Sequence, residues 1–133
     1  MNQKAKSLGL TDSNFVNPAG LDDPKHITTA FDIATFVRYN LSVHPEFVKY
    51  AGYKEDYSVF ATDHNESHWW AHISHMLYAY PGMIAAKTGY TDIAGSTFVG
   101  VAERNGRRLT VVFLSGTDAN GDVQKLLDWG FAN

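Results

Sequence analysis

The Asn105-Gly106 dipeptide constrains the fold more than any other feature, because it lies between two runs of strand-forming residues. Asn-Gly is a strong signal for a two-residue hairpin turn, since both residues tolerate the positive φ that such a turn needs. The flanking runs at 96–103 and 108–115 are rich in Val, Thr and Phe, and a shorter run of the same kind lies at 83–88. The sequence therefore predicts an antiparallel meander of at least three strands.

Helical patterns precede and follow this meander. Residues 1–8 are typical of the end of a helix capped by Gly9, and Thr29-x-x-Asp32 is typical of a capping box that opens another. Apolar residues then recur at helical spacing as far as about Val43. Shorter patterns predict a helix at 45–51, a strand at 57–61 and a closing helix at 121–129 that Gly130 ends, while 62–79 is ambiguous. The predicted fold class is α+β, with helices packed on a small antiparallel sheet.

Composition excludes several classes of protein. The 133 residues suit one domain, and 44% apolar with 19% charged residues is ordinary globular composition. A net charge of −3 without a basic cluster gives no electrostatic reason to expect a nucleic-acid partner. No window reaches the roughly 18 apolar residues of a membrane span, and residues 1–10 lack the apolar segment of a signal peptide. The absence of cysteine excludes disulfides and thiolate metal sites.

The run Lys87-Thr88-Gly89 carries the strongest chemical signal. It places a cation, a hydroxyl and a residue without a side chain at the predicted edge of a strand. That combination suits the capture of a peptide carboxylate, because the cation and hydroxyl bind the anion and glycine allows the peptide backbone to approach. The alternative is an exposed strand end followed by a turn, and the three residues alone do not decide between the two.

Four stretches in order around this run resemble the serine D-Ala-D-Ala carboxypeptidases, the low-molecular-mass penicillin-binding proteins, whose third motif is K-T-G. The resemblance rests on the following runs: Met1-Asn2-Gln3-Lys4-Ala5-Lys6 with Leu8-Gly9-Leu10, Phe15-Val16-Asn17-Pro18 with Gly20-Leu21-Asp22-Asp23, Thr28-Thr29-Ala30-Phe31-Asp32-Ile33-Ala34, and Tyr80-Pro81-Gly82 with Lys87-Thr88-Gly89-Tyr90-Thr91-Asp92. It implies that residues 1–133 form a single partial domain. That domain is the C-terminal half of a catalytic domain with the penicillin-binding, β-lactamase-like transpeptidase fold.

The resemblance also implies roles for four residues. Lys87 supplies positive charge to the substrate carboxylate in a supporting catalytic role, and Thr88 donates a hydrogen bond to the same carboxylate. Gly89 lets the substrate lie along the strand, and the N–H of Tyr90 is one donor of the oxyanion hole. The implied partner is a peptidoglycan stem peptide ending in D-Ala-D-Ala, bound as an added strand in the extracytoplasmic cell envelope, with no cofactor.

Two of the family's three motifs are absent. No serine is followed three positions later by lysine, and no S-x-N run occurs, so the chain has no S-x-x-K nucleophile. A serine without an adjacent base is a weak nucleophile, and we expect the chain alone to be inactive as a serine hydrolase. We expect it to be a truncated product or half of a split enzyme. The expected partner is then a complementing N-terminal half, or further copies of the chain in a homo-oligomer that covers the apolar stripe on residues 30–41.

A second hypothesis of another class concerns the histidines. His64, His68, His72 and His75 are spaced so that a helix would align them in one stripe, and imidazoles one turn apart can bind zinc. The order is not H-E-x-x-H, so a metalloprotease site is excluded. The resemblance places these residues on a loop and short strand, and we expect no metal site there. A non-catalytic metal-binding module is the alternative.

Overall fold

The structure is a computed structural model that describes residues 1–64 and 66–133, with the backbone alone at 56–59. The element order is α1 (Asn2–Ser7), α2 (Ala30–Val43), α3 (Glu46–Ala51), β1 (Glu55–Val59), β2 (His68–Ala71), α4 (His75–Ala79), β3 (Met83–Thr91), β4 (Gly95–Arg104), β5 (Arg107–Leu114) and α5 (Ala119–Ala132). The α+β class predicted from the sequence is confirmed.

The predicted meander is the central sheet, with strands in the order β3-β4-β5 and both pairings antiparallel. Asn105 and Gly106 have φ values of 51° and 76°, so the turn between β4 and β5 has positive φ at both central residues, as a two-residue hairpin requires. Arg104 pairs with Arg107 across this turn, which fixes the register of the hairpin. β1 and β2 form a separate antiparallel pair.

Helices cover both faces of the central sheet. On one face, Val37 of α2 packs with Ala85 and Val101 of the sheet, and α3 adds Phe47 and Ala51. On the other face, α4 and α5 build the larger cluster, whose buried members are Met76, Leu77, Tyr80, Met83, Ala86, Phe98, Ala102, Val111, Val123 and Leu127. The sheet is therefore the middle of three layers, which is why its strands are nearly continuous apolar runs.

The apolar stripe of α2 is mostly covered by this arrangement. Val37 is buried, and Ile33 and Leu41 pack beside it against the sheet. Phe31 and Phe36 lie on other sides of the helix and are exposed. The expectation that too little remains to cover the stripe is therefore wrong for its largest members, and the exposed Phe31 and Phe36 do not belong to the stripe.

The opening of α2 makes half of the predicted capping box. The side chain of Thr29 accepts a hydrogen bond from the N–H of Asp32 at 3.1 Å. The buried Asp32 carboxylate does not reach back to Thr29. It accepts instead from the N–H of Asp12 at 3.0 Å and from the hydroxyl of Ser13 at 2.7 Å. Asp32 thus joins the first helix turn to the loop after α1, a role that local spacing does not reveal.

Gly130 does not end the last helix as the sequence predicted, because α5 continues to Ala132. A Cβ at Gly130 would lie 2.8 Å from Cδ1 of Leu109 on β5. The glycine therefore allows the helix to approach the sheet rather than stopping it. No helix in the described part of the chain is long and apolar enough to cross a membrane.

Candidate functional site

Lys87, Thr88, Gly89 and Tyr90 lie in the second half of β3, at the edge of the three-stranded sheet. Gly89 pairs with Thr97 and Tyr90 with Ser96 of β4. The structure therefore brings the four residues predicted to bind substrate onto one strand edge. Their placement on a strand agrees with the sequence-based prediction, and their roles remain a prediction.

The hydrogen-bond pattern shows which backbone groups of β3 point away from β4. The carbonyl of Ser96 accepts from the N–H of Ser115, so the backbone of Ser96 faces β5 and leaves its neighbour Tyr90 unpaired within the sheet. Independently, the carbonyl of Ala86 lies 2.9 Å from Nε2 of His72, outside the sheet. Backbone direction alternates along a strand, so Ala86, Thr88 and Tyr90 all present their N–H and C=O groups to the open edge. An extended peptide can pair with such an edge.

Lys87 supplies a positive charge at this edge. Its Nζ donates to the backbone carbonyl of Thr88. Among the described side chains, no carboxylate lies within ion-pair distance of this ammonium group. Lys87 also lines a cleft of about 270 Å³ between α3 and the sheet, whose other lining residues are Val37, Phe47, Tyr50, Ala51, His72, Ala85, Ala86, Val99, Gly100 and Val101. An ammonium group without an acidic partner is available to an anionic ligand.

Gly89 is needed by the sheet as well as by any ligand. The hydroxyl of Thr97 donates to the carbonyl of Gly89 at 3.1 Å. A Cβ at Gly89 would lie 2.7 Å from the hydroxyl oxygen of Thr97, which is too close unless Thr97 shifts. Glycine therefore permits this cross-strand contact, in addition to the close approach of a peptide that the sequence suggested.

The far end of β3 is tied to a distant loop. The hydroxyl of Thr91 donates to Asp22 at 2.7 Å and accepts from the N–H of Ala94 at 2.9 Å. The side chain of Asn17 holds that loop in shape, because its Oδ1 accepts from the N–H of Leu21 at 3.0 Å. From the sequence, Asn17-Pro18 and Asp22 are only parts of a family match, and the contact of Asp22 with the site was not predicted. Residues 15–23 and residues 80–92 both match the same family, and this shared match is the sequence signal that could have linked the two segments.

The start of β3 is held by Tyr80, which is buried against α5. Its hydroxyl donates to Asp128 at 2.8 Å, and the guanidinium of Arg104 lies 4.6 Å from the centre of its ring. Burial and the hydrogen bond to the Asp128 carboxylate raise the pKa of Tyr80 to about 12. Gly82 follows with a φ of +85°, and a Cβ there would lie 2.5 Å from the carbonyl oxygen of Glu103. This corner fixes where the strand begins.

The four histidines do not form the stripe that a metal site on a helix requires. His68 belongs to β2 and His75 begins α4, and the run between His64 and His68 crosses Asn65, which lies outside the described residues. His72 is engaged with Ala86 at the edge of β3. The described residues contain no group of three or more His, Asp or Glu side chains placed to hold a metal ion. The geometric premise of the metal-binding alternative is therefore wrong.

Comparison with known proteins agrees with the site. A family model described as D-alanyl-D-alanine carboxypeptidase matches residues 1–118. D-alanyl-D-alanine carboxypeptidase DacB2 of Mycobacterium tuberculosis is 36% identical over 99% of this chain and 47% of its own length. A crystal structure of D-alanyl-D-alanine carboxypeptidase from the same organism has a TM-score of 0.85 at 34% identity, over 99% of this chain and 52% of that one.

Penicillin-binding protein D2 from Listeria monocytogenes, in its ampicillin-bound form, has a TM-score of 0.84 at 31% identity, over 98% of this chain and 53% of that one. The chain spans about half the length of these relatives. Its α+β fold is therefore part of the penicillin-binding, DD-peptidase fold. Because the family model covers most of the sequence, the chain belongs to the D-alanyl-D-alanine carboxypeptidase family.

Proposed function

We propose that this chain is the substrate-strand part of a serine-type D-Ala-D-Ala carboxypeptidase, and that β3 binds a peptidoglycan stem peptide as an added strand. The observation that supports this most strongly is the open edge of β3, where the backbone groups of Thr88 and Tyr90 face away from β4. The ammonium group of Lys87 lies beside them and has no carboxylate partner among the described side chains. The family relationship supports the same substrate class. The proposed location is the extracytoplasmic cell envelope, where peptidoglycan lies.

Each of the four residues has a proposed part in binding. Lys87 attracts the terminal carboxylate of the peptide, and the hydroxyl of Thr88 donates a hydrogen bond to it. The N–H of Tyr90 donates to the carbonyl of the penultimate D-alanine, which is where negative charge develops during acyl transfer. Gly89 lies between them and leaves room for the last residue of the peptide. With the carboxylate at Lys87 and the reacting carbonyl at Tyr90, the peptide runs antiparallel to β3.

Catalysis needs a nucleophile that this sequence does not contain. In the family, the serine of S-x-x-K attacks the peptide bond and D-alanine leaves, and water then hydrolyses the acyl-enzyme. We propose that the chain supplies Lys87 and the Tyr90 N–H, while a complementing N-terminal half supplies the serine. A complementing half, or a second copy of the chain, would also cover the exposed side chains of Phe31 and Phe36.

The chain alone is expected to remain unmodified by a fluorescent penicillin. Penicillins acylate the serine of S-x-x-K, and no serine in this sequence has lysine three positions later. Intact-mass spectrometry after incubation is expected to show only the mass of the unmodified chain. Stoichiometric addition of the penicillin would contradict the assignment of this chain as the part without the nucleophile.

Replacing Lys87 with Ala is expected to weaken binding of diacetylated L-Lys-D-Ala-D-Ala by about ten- to a hundredfold. The variant removes a charge-assisted hydrogen bond to the carboxylate, a contact worth about 1.5 to 3 kcal/mol. The measurement is an NMR titration of the ¹⁵N-labelled chain, in which the amide signals of Thr88 and Tyr90 should shift.

Lys125→Ala is the matched control, since Lys125 is an exposed lysine of α5 paired with Asp122 at 3.4 Å, and its removal changes the net charge equally. This control should bind the peptide as the unmodified chain does. Equal loss of binding in both variants would indicate a general effect of charge. Absence of binding to the unmodified chain would contradict the proposed function.

A further inference from the structure

His72 is held in one orientation at the open edge of β3, just before Lys87. Its backbone N–H donates to the carbonyl of Lys54 at 2.7 Å. Its Nδ1 accepts from the N–H of Ser74 at 3.0 Å, so Nδ1 carries no proton in this arrangement. Nε2 must then carry the proton and donate to the carbonyl of Ala86 at 2.9 Å. The imidazole is thus fixed through both ring nitrogens, in the short segment between β2 and α4.

This contact changes which part of the strand edge a peptide can use. Among residues 86–90 of β3, Ala86, Thr88 and Tyr90 direct their backbone carbonyls to the open edge. His72 occupies the carbonyl of Ala86, and Lys87 occupies that of Thr88. The carbonyl of Tyr90 has no side-chain partner among the described residues. The hydroxyl of Tyr90 contacts Asp92, which leaves the backbone carbonyl free for a peptide. The edge is therefore open at Tyr90 and closed toward the start of the strand.

We propose that His72 is a specificity-determining residue that stops the peptide at its carboxyl end. This inference rests on the proposed function, which directs the carboxylate toward Lys87 and Thr88 and so points the end of the peptide at Ala86. A peptide that ends there places its carboxylate beside the ammonium group of Lys87. A peptide that continues by two residues must occupy the position of the imidazole, and it offers no carboxylate to Lys87. His72 thereby restricts the site to peptides in which D-Ala-D-Ala is the carboxyl end, and it excludes peptides that continue beyond that pair.

Two properties of the ring suit this role. His72 lines the same cleft as Lys87, so it lies beside the proposed carboxylate position and not behind a layer of other side chains. The ring is also held by two hydrogen bonds to backbone atoms, and the backbone of the same residue is anchored by a third, so the ring acts as a fixed wall. Discrimination by a clash with the wrong ligand requires such rigidity, because a mobile ring would simply move aside.

The test compares two ligands on the ¹⁵N-labelled chain by NMR titration. One is diacetylated L-Lys-D-Ala-D-Ala, and the other is the same peptide extended by Gly-Gly at its carboxyl end. The unmodified chain is expected to bind the first at least about tenfold more tightly than the second. In His72→Ala, the ratio should fall to about threefold or less, chiefly because the extended peptide binds more tightly.

His72→Gln is the conservative variant. The glutamine side chain fills similar space, and its amide N–H can still donate to the carbonyl of Ala86. It should retain most of the discrimination. A merely structural role for His72 predicts a different result, namely that His72→Ala weakens both peptides equally and leaves their ratio unchanged. That result would overturn the inference.

The outcomes separate this inference from the proposed function. If the chain with His72 binds both peptides equally, or if His72→Ala keeps the original ratio, the proposed role of His72 is wrong. The proposal that β3 binds the peptide is not affected by that result. If the unmodified chain binds neither peptide, the proposed function itself fails and the inference fails with it. A ¹H–¹⁵N spectrum of each variant that matches the unmodified chain away from β3 establishes that the variants are folded.

Discussion

Replacing Leu127 with Ala is expected to lower the free energy of unfolding by about 3 to 4 kcal/mol. Leu127 is only 1% exposed and lies on the face of α5 that packs against the sheet, in the same cluster as Phe98 and Val123. Leucine-to-alanine changes in such positions cost about 2 to 5 kcal/mol, because the apolar contacts are lost and a cavity remains. For a chain of 133 residues this is a large share of the total stability.

Urea denaturation followed by circular dichroism measures the effect as a lower midpoint at an unchanged slope. Leu126→Ala is the matched control, because Leu126 is the adjacent residue of the same helix and is 50% exposed. It makes the same chemical change with little loss of buried area, and its cost should stay below about 1 kcal/mol. Similar losses in both variants would mean that α5 does not pack on the sheet as described.

The protein is expected to lose stability between about pH 10 and pH 12 because of Tyr80, and Tyr80→Phe is expected to abolish that loss. The pKa of Tyr80 is raised from 10.0 to about 12, so the folded protein keeps the phenol protonated when the unfolded chain has already lost the proton. The resulting stabilisation is fully present below pH 10, and it is lost as the pH rises through about 12. At 1.36 kcal/mol per pH unit, the loss amounts to about 2 to 3 kcal/mol.

The measurement is the free energy of unfolding of both proteins at several alkaline pH values. The difference between them isolates Tyr80, because the other groups that titrate there are common to both. Below pH 10, Tyr80→Phe should be less stable by about 1 kcal/mol, since the hydrogen bond to Asp128 is missing. This deficit should shrink as the pH rises above 10 and then reverse, because the alkaline loss of stability in the protein with Tyr80 is larger than the contribution of the hydrogen bond.

Tyr78→Phe is a suitable comparison, because Tyr78 lies on α4 only two residues before Tyr80, is 48% exposed and donates to the backbone carbonyl of Lys54. It should keep the alkaline loss of stability. If Tyr80→Phe keeps that loss as well, burial and Asp128 do not hold the proton on Tyr80.

Local sequence patterns were sufficient for most of the fold. The Asn105-Gly106 turn, the Gly9 cap and the helix opened by Thr29 depend on residues close together in the chain, and the structure has all three. The prediction that Gly130 ends the helix is wrong because the role of this glycine depends on Leu109, a residue of a different element. Nothing in the neighbourhood of a glycine distinguishes a helix stop from a close helix-to-sheet contact.

The site was predictable only where one strand carries it. Lys87, Thr88, Gly89 and Tyr90 are consecutive, so their shared edge followed from a strand assignment and a motif match. His72 and Asp22 reach the same strand from the chain before α4 and from the loop before α2. Spacing suggested a helical stripe for His72 because the period of a helix was the only local rule that related it to His68. Tertiary contacts of this kind have no signature in a short window of sequence.

The hydrogen bond from Thr91 to Asp22 joins residues that are 69 positions apart in the chain. The β4–β5 hairpin closes across only two residues, whereas this contact closes a much longer segment at a larger entropic cost, so we expect it to form after the hairpin. We therefore expect the end of β3 next to Tyr90 to become ordered later than the β4–β5 hairpin of the same sheet. A spectroscopic probe at Tyr90 would report completion of the native state, and a probe in the hairpin would report its beginning.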